Sequence, residues 1–464
     1  MTVPVQVMID KALEAHPDAE VVKRDRSQIR HRIYLPDGRE SYISGISQGA
    51  LHYKDAFGTW REINTALSPS AARVGADLGN VTAGFESHFN LNLGAAWTAE
   101  YRKGTSAIRL KPVRLQSGSK SWLAQPIVGV VKDDVIRWTN AFGPGIHLEW
   151  QAQGSRLAKK VILDSPLTLT ADLDLVLEVQ LENLPLPTIT DTHLIPLGSI
   201  GFIRWPTSSD ATGETAKGKL LMTVSGEKRY LTHRIPRAWL ASATYPVVID
   251  IDLDEYVGVG EDDVDCQIKV STGAHQYNAT GLQLRIGNYS AAYIKRGFAA
   301  RFSSVDVSRY ADISKAYFYV YSYSDYTVDT CHAYLYGHAH DNSPQIVYDS
   351  PLFLAADAAL HALATQKTPG ILDTVIDYDW VYPNYFGYEI DSALRSPYTV
   401  VSDIVNRPGW VSGNALTMVW EDWDGRSDVG ATRAGFSYDG DALHPPYLHI
   451  HWTEAVTQPQ GMMF

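Results

Sequence analysis

Two groups of carboxylates and two pairs of histidines have spacings that could hold an ion. Glu261, Asp262, Asp263 and Asp265 form one acidic group; Glu421, Asp422, Asp424 and Asp428 form the other, near Asp439 and Asp441. Calcium takes several carboxylate or carbonyl oxygens, which a loop rim bearing Asp262, Asp263 and Asp265, or Asp422 and Asp424, could provide. Neither group has the spacing of an EF-hand loop, and solvated turns at strand ends explain such clusters without a metal. His338-Ala339-His340 and His449-Ile450-His451 each put two imidazoles on one face of a strand, half of a transition-metal site. No third ligand follows by spacing and no HExxH occurs, so polar positions on a solvent face are the simpler reading.

The usual catalytic constellations do not appear. There is no GxSxG elbow, and Cys266 and Cys331 have no pattern pairing them with a base. Gly198-Ser199-Ile200-Gly201 lacks the further Gly and the Lys of a phosphate-cradling loop. A glycosidase's paired carboxylates could lie anywhere among 52 Asp and Glu, so that chemistry is neither supported nor excluded. The expectation is a non-enzymatic protein without a cofactor, calcium aside. Aromatics are the remaining lead. Tyr317, Phe318, Tyr319, Tyr321, Tyr323 and Tyr326 crowd one segment, and Trp380, Tyr382, Tyr385, Phe386 and Tyr388 another. Strand alternation buries half of such a run and leaves half on a surface, where Tyr and Trp stack on sugars or anchor protein contacts. Tyr321, Tyr323, Trp380, Tyr382 and Tyr385 are the candidate ligand contacts, with core packing as the alternative.

The elements that position these residues are mostly strands. Val5, Met8, Ile9, Ala12 and Leu13 recur at helical spacing, predicting a short amphipathic N-terminal helix that docks on its own domain or on a partner. From residue 28 the period is two: Ile29, His31, Ile33 and Leu35 alternate with Arg30, Arg32 and Tyr34. Tyr53 and Trp60 sit on the arms of a predicted hairpin, and Leu173 to Leu181 is the cleanest half-buried strand. Ser208 to Lys217 reads as a loop and Leu352 to Gln366 as an Ala-rich, helical stretch. Near the end, Ser396-Pro397 opens a predicted lid helix with Val400, Val401, Ile404 and Val405 on one face. Asn406 in the left-handed region and Pro408-Gly409 close it, and Ala415 to Trp420 follows as a core strand.

A chain of 464 residues has room for two or three domains. The reading is all-β, with two antiparallel β-sandwich regions, the rear one of jelly-roll type, plus the short N-terminal helix and the lid helix. Residues 1–27 form the helix and a linker, 28–253 a β-rich front domain, 254–454 the rear domain and 455–464 a tail. A net charge of −12 argues against a nucleic-acid partner. No run of about 20 apolar residues suggests membrane insertion, and no secretory signal is visible, so synthesis in a cytoplasm is expected. Two cysteines cannot form a disulfide framework; whether Cys266 and Cys331 pair is open.

The rear region resembles the non-catalytic DNRLRE-type β-sandwich modules, relatives of carbohydrate-binding modules. Ile313 to Phe318, Ser396 to Trp410, Ser412 to Leu416, Ser437-Tyr438-Asp439-Gly440 and Pro445 to Ile450 carry the resemblance. The front region is similar to β-domains preceding such modules in surface and phage proteins, through Tyr53-Lys54-Asp55, Gly58-Thr59-Trp60, Leu157 to Leu163 and Tyr245 to Asp250. The resemblance implies a structural protein of a tailed-phage virion: a decoration, neck or tail-fibre component assembled in the host cytoplasm. Its partners would be other virion proteins, further copies of itself in a homo-oligomer, and a host surface glycan. A bacterial surface or secreted carbohydrate-binding adhesin is the alternative, and a polysaccharide-degrading enzyme a third. The resemblance assigns no catalytic residue.

Overall fold

The structure is a computed structural model. It describes residues 4–55, 57–154, 156–184, 194–204, 207–212, 215–254, 263–269, 274–278, 283–288, 295–326, 329–344, 367–392, 399–438, 441 and 444–454. The chain is all-β, as expected: antiparallel sheets with, among the described residues, three short α-helices. It divides into two compact units, and unit 1 is inserted into unit 2. Unit 1 takes in His52–Val257; unit 2 takes in Pro4–Leu51 and Gly258–Phe464.

Unit 1 contains an eight-stranded and a nine-stranded antiparallel sheet. The Leu173–Glu182 strand lies inside the first, between Ser106–Ser117 and Lys228–Ile235, and buries Leu173, Leu175, Leu177 and Val179. Trp138, Trp150, Val161 and Ile249 are buried along the second. One expectation needs correction here. The stretch from Ser208 to Lys217 is not all loop, because Thr207–Ser209 pairs with Thr215–Lys217 and with Val247–Asp254. Val247–Asp254 pairs along its whole length with Arg156–Leu163 inside unit 1.

Unit 2 is a sandwich of two six-stranded sheets with a two-stranded ribbon, Gln283–Gly287 with Thr432–Phe436. The first sheet runs Glu20–Arg24, Gln28–Tyr34, Glu40–Ser47, Tyr447–Thr453, Asp312–Tyr321, Tyr385–Ser392. The second runs Ala274–Asn278, Asp263–Lys269, Lys295–Phe302, Leu416–Glu421, Cys331–His338, Lys367–Ile376. Between them lie Phe298, Phe302, Phe318, Trp380, Trp420, Leu448, Ile450 and Trp452, all at most 1% exposed. Burying such side chains is worth about 1.5–3 kcal/mol each, so this shared core is what makes unit 2 one body.

The division at residue 28 therefore differs from the structure. The alternating strand Gln28–Tyr34 and its neighbour Glu40–Ser47 were expected in the front domain. Instead, Glu40–Ser47 pairs in register with Tyr447–Thr453, Gly45 opposite His449. A period of two reveals a half-buried strand but not which distant strand will pair with it.

The lid helix α3 (Val400–Val405) buries Val400, Val401, Ile404 and Val405 completely, as its spacing predicted. Its caps differ. Thr399 precedes the helix without a side-chain cap bond, and the Asp391 carboxylate receives the Val401 and Ser402 N–H groups at 2.9 and 2.7 Å. Asn406 is right-handed, φ −82°, not left-handed. Ser396, Pro397 and Leu352 to Gln366 lie outside the described residues.

Candidate functional site

The face of the first sheet that points away from the core is where the predicted aromatics gather. In Asp312–Tyr321, Ala316, Phe318 and Val320 point into the core at 0% exposure, so Tyr317, Tyr319 and Tyr321 take the outer face. Register supplies their neighbours: Tyr317 lies opposite His449, Tyr319 opposite Tyr447, and Tyr321 opposite Tyr385. Helix α1 (Pro4–Leu13) lies on the same face, seating the fully buried Ile9 over Gly45. Any Cβ at position 45 would stand 2.7 Å from both Ile9 Cδ1 and Tyr447 Oη, so this close approach requires glycine. Of the two dockings open to the N-terminal helix, the one on its own chain is observed.

Beside the helix is a cavity of about 680 Å³. Tyr317, Tyr319, Tyr321, Tyr385, His444 and His449 line it, closed on one side by Met8, Lys11 and Ala12 of α1 and on another by Pro383 and Asn384. His444 stacks on Tyr321 with ring centroids 4.0 Å apart and an interplanar angle of 19°, while its Nδ1 meets Asp441 Oδ2 at 2.7 Å. Tyr385 crosses Tyr321 edge-on at 4.8 Å and donates its hydroxyl to the Pro445 carbonyl at 3.3 Å. Tyr319 lies across Gly387, where a side chain would collide with its ring. Burial pushes the Tyr319 and Tyr321 hydroxyls up to about 12, and that of Tyr385 well above its ordinary value. These phenols therefore stay protonated and neutral at physiological pH. A wall of neutral aromatic rings with hydroxyl, imidazole and amide groups can stack on and hydrogen-bond a polar, uncharged ligand.

The sequence-selected contacts separate. Tyr321 and Tyr385 form the cleft, and Tyr382, 50% exposed, packs edge-on against Tyr321 with centroids 6.1 Å apart. Tyr323 packs on Phe436 at 4.9 Å and is not part of the lining. Trp380 is corrected: it is 1% exposed, parallel to Phe386 at 5.0 Å and beside Trp420, a core residue that offers a ligand no face. Tyr317 and Tyr319 were legible in the alternation but not selected. His444, His449 and α1 come from distant stretches that sequence spacing does not connect.

The ion-binding candidates resolve differently. Asp422 is fully buried and accepts the Arg426 and Ser427 N–H groups at 2.9 and 3.0 Å, so both its oxygens fasten a loop. Asp424 is exposed on that loop. Asp262 lies outside the described residues, and Asp263 and Asp265 are described only as backbone of the Asp263–Lys269 strand. Among the described residues no group of three His, Cys, Asp or Glu side chains could hold a metal. One histidine of each pair is turned from solvent, against the simpler reading, while His340 is exposed and His451 half-buried. His338 is 3% and His449 6% exposed, and His338 Nδ1 meets Ser343 Oγ at 2.8 Å. Cys331 is free and buried. Two strands separate its own from that of Cys266, roughly 14 Å of sheet, whereas a disulfide needs Cα atoms within about 7 Å.

In unit 1, Glu100 and Glu182 share Arg102 and Arg109, with Arg102 2.9 Å from Glu100 and 2.7 Å from Glu182. Hydrogen bonds from Arg102 and Arg109 hold Glu182 down at about 2. Two carboxylates clamped this way stay ionised, whereas glycoside hydrolysis needs one of its pair protonated.

No family model matches the sequence, and no curated protein matches it. Among solved structures, the N-terminal domain of the Streptococcus gordonii adhesin Sgo0707 shares 7% identity over 94% of this chain and 90% of that one. Its TM-score is 0.12, too low to bear on fold or function.

Proposed function

We propose that this chain is a non-enzymatic structural and binding protein whose unit 2 takes a host glycan into the tyrosine cleft. The observation that carries this reading is the convergence of Tyr317, Tyr319, Tyr321 and Tyr385 with His444 and His449 around a cavity of about 680 Å³. Sugars present apolar faces to aromatic rings and hydroxyls to polar edges, which suits rings that are apolar in body and polar at the tip. The setting that the sequence resemblance suggests is a phage particle, with the chain as a decoration, neck or tail-fibre component that assembles with other virion proteins and with copies of itself. The test is a glycan array on the intact chain, followed by calorimetry on any hit. Tyr321→Ala should weaken binding by roughly tenfold or more, while Tyr323→Ala, outside the lining, should leave it within about twofold. An array with no hit, or equal losses from both substitutions, would sink the reading. Mass spectrometry of purified phage particles tests the setting: the chain should be present in stoichiometric amount.

A further inference from the structure

The outer face beside α1 carries two neighbouring histidines, the buried His449 and the half-buried His451. Gly45, on which Ile9 rests, pairs directly with His449, and His451 follows two residues on with its ring 4.6 Å away. His449 Nε2 is buried and has no hydrogen-bond partner among the described residues. The surroundings offer a proton little. Tyr317 and Tyr447 flank His449, ring centroids 6.4 and 6.3 Å away. Lys315 on the neighbouring strand and His16 just past α1 both act on His451, and His31 lies in its cross-strand row beyond Ile43. Helix α1 brings Asp10, which acts on Tyr447, and Lys11 on the cleft wall; Glu389 stands opposite Tyr317. Among the described residues, no carboxylate is hydrogen-bonded to the His449 or His451 ring. Burial first, then the neighbouring imidazole, lowers His449 to about 3; burial, Lys315 and His16 lower His451 to about 4.

We propose that His449 and His451 form an acid-sensitive latch for α1: the helix docks on neutral imidazoles, and their protonation releases it and removes one wall of the cleft. The linkage runs one way. An imidazole that titrates near 6.5 when uncovered and near 3 when covered binds its proton more tightly in the released state. Docking is then intact above pH 6.5 and weakens as pH falls. His449 alone would weaken it roughly thirtyfold between pH 8 and pH 5. A ten-residue helix has little stability of its own in water, so release means unfolding of the segment.

The proposal uses the cleft only as the place where α1 is a wall, and its test needs no glycan, so it stands or falls apart from glycan binding. Hydrogen exchange of the intact chain, corrected for intrinsic rates, is compared at pH 8 and pH 5. Protection of residues 4–13 should drop roughly thirtyfold or more, since His451 adds to the share of His449, while the core strand Leu416–Glu421 keeps its protection. The double variants His449→Phe/His451→Phe and His449→Gln/His451→Gln, neither able to take a proton, should keep α1 protected at pH 5. Three results would overturn the latch: unchanged α1 protection in the wild type, loss shared with Leu416–Glu421, or the same loss in the variants.

Discussion

The Asp391 carboxylate, 1% exposed, takes hydrogen bonds from Val401 N, Ser402 N and Ser402 Oγ at 2.9, 2.7 and 2.7 Å. Those bonds favour the charged form, but burial outweighs them and pushes the group up to about 7 from 3.8. The folded state therefore holds this proton between pH 4 and pH 7, where the unfolded chain has released it. The stability it brings is fully present below pH 4 and is lost as pH rises through 7, by at most about 4 kcal/mol. His449 and His451, lowered rather than raised, pull the other way, adding stability as pH climbs from 4 to 6.5. The two effects separate in a difference experiment. Asp391→Asn cannot ionise, so its melting temperature relative to wild type should rise with pH across 4 to 7; a constant offset would mean that Asp391 does not titrate there. None of this was legible beforehand. Asp391 caps α3 from another strand, and the Ser396-Pro397 signal that sequence offered for that role lies just upstream of the helix.

Elements show where sequence reading worked and where it stopped. The apolar face of α3 followed from periodicity, because burial acts on every residue of a face, and the buried strand Leu416–Glu421 from its apolar and β-branched content. The same rule places Tyr317, Tyr319 and Tyr321 outward, yet choosing Trp380 as a ligand contact failed: whether a loop aromatic turns into the core depends on space that distant strands leave. Helix α1 is the sharper case, since its own sequence predicts an apolar stripe but not the glycine that receives it. Gly45→Val tests that contact. Valine favours strands by a fraction of a kcal/mol, whereas crowding Ile9 and Tyr447, both fully buried, costs about 1–3 kcal/mol. The clash should win. The variant should melt lower and be cleaved after Leu13 or Glu14 at protease concentrations the wild type resists; an unchanged melting temperature would mean that α1 does not rest on Gly45.

At the scale of the whole molecule, unit 2 is built from the two ends of the described chain, and unit 1 interrupts it. Deleting residues 1–51 removes α1 and half of the six-stranded first sheet, leaving the Tyr447–Thr453 strand with an open edge. That fragment should be insoluble or lack a cooperative melt. A chain in which residues 52–257 are replaced by a long Gly/Ser linker should instead regain one, read by near-ultraviolet circular dichroism; soluble, cooperative folding of the 258–464 fragment alone would contradict this topology. The position of Tyr447–Thr453 between Glu40–Ser47 and Asp312–Tyr321 also sets an order in time. During synthesis, Glu40–Ser47 leaves the ribosome roughly 400 residues ahead of its partner, about 20 to 80 seconds at ordinary elongation rates. Unit 1 can fold completely in that interval while the edge of Glu40–Ser47 that will receive Tyr447–Thr453 waits unpaired. Tyr447–Thr453, the last described strand, thus closes the sheet, and a nascent chain that stalls before it carries a finished insert within an unfinished host, a species for chaperones to hold or proteases to remove.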